Sequence, residues 1–147
     1  MVKAATRDIP RHLKSLDKNF LAALVYGPNE GLVRERVMQL AAQVVADVND
    51  PFNVARLAAA AIVSDPARLA DEAAAISMLG GRRLILVEDA GDAVTAALKD
   101  VLDNPKGDAL IVLAAGDLPA RSSLRSLVES SGAALALPCY EDDAQSL

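Results

Sequence analysis

Short apolar runs alternate along the chain with longer segments whose apolar residues recur every three or four positions. The short runs predict five strands, at residues 21–26, 52–57, 84–87, 109–114 and 133–137. The spacing between them predicts helices, the longest from residue 33 to 48. A continuous apolar run is typical of a parallel strand covered on both faces. The pattern therefore predicts a three-layer α/β domain with a mainly parallel five-stranded sheet.

The helix predicted before the third strand ends unusually. An N-cap at Asp65 is expected to begin it, and Ser77, Met78 and Leu79 close it before a double glycine. Methionine suits an adaptable contact surface because its unbranched thioether repacks easily. If Met78 and Leu79 point outward, they form a docking tip for another protein, and if they point inward, this is an ordinary helix end.

Composition narrows the class of protein. The chain has 147 residues, enough for one domain with a substantial core, and a net charge of −5. Its basic residues are dispersed, so direct binding of nucleic acid is not expected. Cys139 is the single cysteine and His12 the single histidine, so neither a disulfide nor a metal site is predicted. We expect Cys139 to be a buried structural thiol.

The ends of the chain bear on its location and extent. Polar residues interrupt the N-terminus where a signal peptide would be apolar, and no apolar run is long enough to span a membrane. A cytoplasmic, soluble protein without membrane contact is therefore expected. Residues 1–140 are predicted to form the domain, and residues 141–147 the start of a truncated continuation.

The turn after the first strand is the place to look for nucleotide binding in such a fold. It reads Gly27, Pro28, Asn29, Glu30, Gly31. A phosphate-binding loop needs a lysine followed by serine or threonine, and neither stands where it is required. Glu30 would place a negative charge where the phosphate lies. We interpret the turn as a degenerate phosphate loop that binds no nucleotide.

Glu88 and Asp89 follow the third apolar run and resemble the acidic end of a Walker B strand. Without the lysine and hydroxyl there is no triphosphate for a magnesium ion to bridge, so the pair is interpreted as polar residues at a strand end. A receiver domain is the other candidate, but its acidic pair after strand one and its lysine after strand five are both missing. Arg121 and Arg125 are expected to be a solvated pair on a helix.

Together these residues resemble the N-terminal domain of the delta subunit of bacterial DNA polymerase III, over essentially the whole chain. The most specific stretch runs from Ser77 to Leu86, and the opening from Tyr26 to Glu30 is also similar to the family. The family commonly has leucine then phenylalanine where this chain has Met78 and Leu79.

The resemblance implies an AAA+-like, P-loop-NTPase-like fold without ATP hydrolysis, cofactor or metal, in a non-catalytic part of the polymerase holoenzyme. It implies that Ser77, Met78, Leu79 and Gly80 bind the beta sliding clamp, with the apolar pair in a pocket of the clamp, to open the ring during DNA replication. The implied partners are the delta-prime and gamma/tau subunits, with DNA reached only through the complex. A helical lid and a C-terminal domain are expected beyond residue 147. Two alternatives stay open: a P-loop-like ATPase using Glu88 and Asp89, and a pseudo-receiver interaction domain.

Overall fold

The computed structural model describes residues 8–76 and 80–140 and contains a five-stranded sheet in which every paired strand is parallel. The strand order is β2-β3-β4-β1-β5, so the first strand lies between the fourth and the fifth. Helices cover both faces of the sheet. The predicted three-layer α/β fold is confirmed, and the sheet is parallel throughout rather than mainly parallel.

The strands and helices alternate as the apolar pattern predicts. The strands are β1 (Ala22–Tyr26), β2 (Val54–Ala58), β3 (Leu84–Ala90), β4 (Leu110–Ala115) and β5 (Ala134–Pro138). The helices are α1 (Ile9–Lys14), α2 (Glu30–Ala41), α3 (Ala59–Ser64), α4 (Ala67–Ala74), α5 (Thr95–Asp103) and α6 (Ser123–Ser130). A 3₁₀ turn (Asp92–Val94) leads into α5.

The side chains of the central strands alternate between two apolar layers, as the pleat requires. Ala23 and Val25 of β1 pack with α1 and α2 on one face. Leu24 and Tyr26 pack on the other face, which α3, α4, α5 and α6 cover. Burial on both faces explains why these strands are continuous apolar runs.

The second helix is shorter than predicted, because α2 ends at Ala41 rather than near residue 48. Tighter turns follow it, in which the Gln43 and Val44 amides donate to the carbonyls three residues back. The Gln43 side chain leaves the helical path to accept a bond from the Leu16 amide at 2.6 Å. Periodicity continues through Val44 and Val45 because both lie near the core, not because the helix does.

Three features around β2 differ from the prediction. The alanine-rich residues after this strand form the short helix α3, which the apolar spacing did not indicate. The predicted Asp65 cap is wrong: α4 begins at Ala67 and no side chain caps it. Phe52, expected in the strand, is 57% exposed and precedes it. β2 lies at one edge of the sheet.

The fourth helix ends at Ala74, so the expectation that it runs on to residue 79 is wrong. The Glu72 carbonyl, which would accept from residue 76 in a longer helix, accepts instead from Arg83 Nη1 at 2.5 Å. It also accepts the Ala75 amide at 3.3 Å. Arg83 is 8% exposed and forms an ion pair with the Glu72 carboxylate at 3.1 Å. Arg83, which directly precedes β3, therefore provides a hydrogen-bond donor for a carbonyl in the last turn of α4.

We expect Arg83→Met to lower the free energy of unfolding by about 1–3 kcal/mol, because it leaves the half-buried Glu72 carboxylate without its cation. Arg56→Met is the matched control, since the Arg56–Glu88 pair is exposed and should contribute less than about 1 kcal/mol. Urea unfolding of both variants measures the difference. Equal losses would show that Arg83 does not stabilise the end of α4.

Candidate functional site

The strand order creates a crevice at the carboxyl edge of the sheet. β1 and β4 are neighbours, but the helices that follow them, α2 and α6, lie on opposite faces. In open α/β sheets this arrangement is where ligands bind. The turn with Gly27 and Glu30, predicted to be a degenerate phosphate loop, lies at this crevice.

Two of the amides at this turn already have hydrogen-bond partners. The Gly27 amide donates to the Gly116 carbonyl at 3.1 Å. The Leu32 amide donates to the Asn29 side chain at 3.1 Å, which caps α2. Pro28 has no amide hydrogen to offer. Glu30 is exposed in the first turn of the helix, and Gly31 follows it.

The residues after β5 close the turn from the other side. The Cys139 amide donates to the Tyr26 carbonyl at 2.6 Å, which carries the strand pairing beyond β5. Buried Arg36 of α2 donates from Nη1 to the Pro138 carbonyl at 2.8 Å and to Cys139 Sγ at 3.4 Å. A Cβ added to Gly27 would overlap the Cys139 carbonyl. Cys139 is fully buried, as predicted, and its main chain fills space next to the turn.

Arg125 does not belong to a solvated pair, so that prediction is wrong. Its guanidinium lies 5.2 Å from the centre of the Tyr26 ring, donates to the Leu118 carbonyl at 3.0 Å and pairs with Glu129 at 3.4 Å. The helix periodicity could not reveal this, because β1 supplies the aromatic ring from almost a hundred residues away. Arg121 is exposed, as expected, but precedes α6.

Tyr26 is fully buried, and its hydroxyl has no hydrogen-bond partner in the part of the chain that the structure describes. Burial raises the pKa of Tyr26 to about 12, although the Arg125 charge acts in the opposite direction. The phenol is therefore neutral at physiological pH and packs as part of the core.

Glu88 and Asp89 lie within β3 and not after its end. The sheet register shifts between Val87 and Ala90, and Asp89 has a φ of 56°, so the pair forms a bulge. Glu88 pairs with Arg56 of the edge strand at 3.3 Å, on the side away from β1. Both acids are exposed. The Glu88 carboxylate therefore lies on the β2 side of β3 and not beside β1.

The described residues contain no group of three or more histidine, cysteine or acidic side chains that could hold a metal ion. Among residues 8–76 and 80–140, no helix has the length and apolar character needed to cross a membrane.

The opposite, amino-terminal edge of the sheet carries the connection between α4 and β3, residues 75–83. Ile76 at its start is 90% exposed. Gly80 and Gly81 have φ values of 79° and 87°, and no atom would contact a Cβ added to either. Ser77, Met78 and Leu79 lie outside the described residues. Gly80, the remaining predicted contact residue, is exposed.

Arg82 and Arg83 hold the end of this connection in place. In the sequence they are recognisable only as an adjacent basic pair. Arg83 bonds to α4 as described above. Arg82 turns the other way, as neighbours in an extended chain do, and donates to the Asp108 carbonyl at 2.5 Å and the Phe20 carbonyl at 2.7 Å. In the sequence, the only indication of this anchoring role is that the two arginines directly precede a buried strand.

Comparison with known proteins identifies the fold. No protein-family model matches the chain, and no curated protein matches it. The DNA clamp loader delta protein of Bacillus subtilis has a similar structure, with a TM-score of 0.68 and 20% identity over 97% of this chain. A DNA polymerase III gamma-subunit-related protein of Thermotoga maritima is also similar, with a TM-score of 0.60 and 15% identity over 95% of this chain. This chain spans 45% and 47% of their lengths. It therefore shares the fold of clamp-loader proteins, as the sequence predicts.

We expect Gly27→Ala to lower the free energy of unfolding by more than about 2 kcal/mol, because the backbone is strained for other residues and Cys139 occupies the space. Gly116→Ala in the neighbouring turn is the control, since an added Cβ meets nothing there. Thermal and urea unfolding measure both. An equal free energy of unfolding for Gly27→Ala and Gly116→Ala would contradict the close contact between Gly27 and Cys139.

Tyr26→Phe should leave stability at pH 7 unchanged or raise it by up to about 1 kcal/mol, because the hydroxyl is buried without a partner. The variant should also resist alkali. The folded pKa is about 12 against an ordinary value of 10.0, so the stability present below pH 10 is lost as pH rises towards 12. Unfolding curves from pH 8 to 12 test this. Parallel losses in both proteins would contradict it.

Proposed function

We propose that the chain is part of a delta-type clamp-loader subunit that binds a bacterial sliding clamp and helps to open it, without hydrolysing ATP. The observation that carries the proposal is the structural likeness to the Bacillus subtilis clamp loader delta protein along 97% of this chain. The proposed contact residues are Ser77, Met78, Leu79 and Gly80, which belong to the sequence between α4 and β3.

The surroundings of these residues support a contact role. Ile76, directly before them, is 90% exposed, and a Cβ added to Gly80 or to Gly81 directly after them would meet no atom. Arg82 and Arg83 then anchor the chain to separate parts of the domain. A partner bound here would therefore contact a segment whose flanking residues are exposed and whose carboxyl-terminal end is anchored by Arg82 and Arg83.

Met78 and Leu79 would supply the affinity by burial in an apolar pocket of the clamp. Complete burial of such a side chain is worth about 1.5–3 kcal/mol. The pair together could contribute about 3–6 kcal/mol, a factor of roughly 10² to 10⁴ in affinity. Aliphatic burial would do what an aromatic anchor does in many other interfaces.

Ring opening through this contact needs binding energy and no chemical step. A ligand shifts an equilibrium by as much as it prefers one state, so a contact that favours the open ring promotes opening. The carboxyl edge is consistent with this role, because the Gly27 turn is occupied by Gly116 and Cys139. That arrangement favours a subunit that binds no triphosphate over the ATPase alternative.

The remaining partners follow from the same proposal. The delta-prime and gamma/tau subunits would assemble with the whole protein in the cytoplasm, and this chain spans less than half of the similar structures. The net charge of −5 favours contact with DNA only through the complex.

The direct test is the affinity of the chain for the sliding clamp of its own organism. We expect Met78→Ala/Leu79→Ala to weaken binding by at least about 100-fold, because both proposed anchors are truncated. Met38→Ala/Val63→Ala is the matched control, since it removes a methionine and an aliphatic side chain from exposed positions elsewhere. Surface plasmon resonance measures each affinity, and circular dichroism verifies folding.

The control should bind the clamp as the unaltered chain does. Equal affinity of a folded Met78→Ala/Leu79→Ala protein would remove residues 77–80 from the interface. Absence of clamp binding by the unaltered chain would reject the function itself.

A further inference from the structure

A basic cleft of about 400 Å³ lies at the same edge of the sheet as the α4–β3 connection. Lys14 and Lys18, which flank the turn after α1, line one side. Gln43, Leu110 and Arg82 of the connection are also among its lining residues. Only Gly81 therefore separates the proposed clamp-binding residues from Arg82 along the chain.

The wall of the cleft is held in place by one side chain. Gln43 accepts a hydrogen bond from the Leu16 amide at 2.6 Å. Its amide nitrogen donates to the carbonyls of His12 at 2.9 Å and Leu13 at 2.7 Å. These three bonds join the end of α1 to the turns after α2, so the lysines project from a fixed backbone.

The three cations of the cleft have no carboxylate within ion-pair distance among the described residues. Lys14 and Lys18 are exposed. Arg82 is partly buried and donates to the uncharged carbonyls of Asp108 and Phe20. Burial lowers the pKa of Arg82, and the nearby Asp108 charge only partly offsets this. Within residues 8–76 and 80–140, these three neighbouring cations therefore have no ion pair.

We propose that this cleft receives acidic side chains of the sliding clamp, next to the apolar contact made by residues 77–80. This inference rests on the proposed function, because it assigns a second contact to the same partner. A carboxylate entering the cleft would restore an ionic partner to Arg82, which has lost part of its hydration.

The position and the charges favour a protein carboxylate over a nucleic-acid phosphate. Arg82 directly follows Gly81, so a partner bound at residues 77–80 lies beside the cleft. The chain as a whole would repel a phosphate backbone, since its net charge is −5. Exposed lysines at an interface rim mainly accelerate association and make it sensitive to salt.

The test is Lys14→Glu/Lys18→Glu, which reverses two exposed charges and leaves Arg82 and its backbone bonds in place. We expect about 5- to 30-fold weaker clamp binding near 0.1 M salt, largely through slower association. The loss should shrink to less than about 3-fold at 0.5 M salt, where charges are screened. Arg68→Glu/Arg121→Glu is the matched control, because both residues are exposed at the carboxyl edge.

The control should bind like the unaltered chain at both salt concentrations. Unchanged affinity and salt dependence in Lys14→Glu/Lys18→Glu, with binding still lost in Met78→Ala/Leu79→Ala, would overturn the cleft proposal alone. No clamp binding by the unaltered chain would overturn both proposals. Binding of a duplex or single-stranded DNA oligonucleotide that Lys14→Glu/Lys18→Glu abolishes would assign the cleft to phosphates instead.

Discussion

The close approach of Cys139 to Gly27 determines what the carboxyl edge of this sheet can do. Hydrogen bonds from the Cys139 amide to Tyr26 and from the Gly27 amide to Gly116 join β1 to the exits of both neighbouring strands. Only glycine fits at residue 27, because any side chain would overlap the Cys139 carbonyl. The same contacts that hold the centre of the sheet together thus occupy the turn where a related fold would bind phosphate.

The proposed contact surface belongs to the opposite edge, where two adjacent arginines have different partners. Arg83 donates a hydrogen bond to the Glu72 carbonyl and pairs with the Glu72 carboxylate, in the last turn of α4. Arg82 ties the end of that connection to the turns before β1 and β4. Arg82 is partly buried and has no ion pair among the described residues, which supports the proposal that a carboxylate binds in the neighbouring cleft.

The sequence predicted the sheet well because each central strand is buried on both faces and reads as a continuous apolar run. It failed where side chains override periodicity. The spacing that continues through Val45 reflects core contacts made after α2 has ended, with Gln43 turned towards α1. The sequence pattern predicts that residues 75 and 76 are helical, but α4 ends at Ala74. The Glu72 carbonyl in its last turn accepts a hydrogen bond from Arg83 instead. Such contacts join distant residues and leave no local pattern.

The candidate site was predictable only in part. The absent lysine and hydroxyl after Gly27 could be read directly, whereas the Cys139 main chain beside that turn could not, because β5 brings it there from the far end of the chain. Likewise the cleft of Lys14, Lys18 and Arg82 joins residues that are remote in sequence. These basic residues are dispersed in the sequence and become neighbours only in the folded structure.

Amide hydrogen exchange of the unaltered chain, with and without the sliding clamp, tests the central claim most directly. The account predicts that clamp binding slows exchange in residues 75–82 and leaves residues 27–32 unchanged. Slower exchange confined to residues 27–32, with none in residues 75–82, would place the partner at the carboxyl edge and contradict the account.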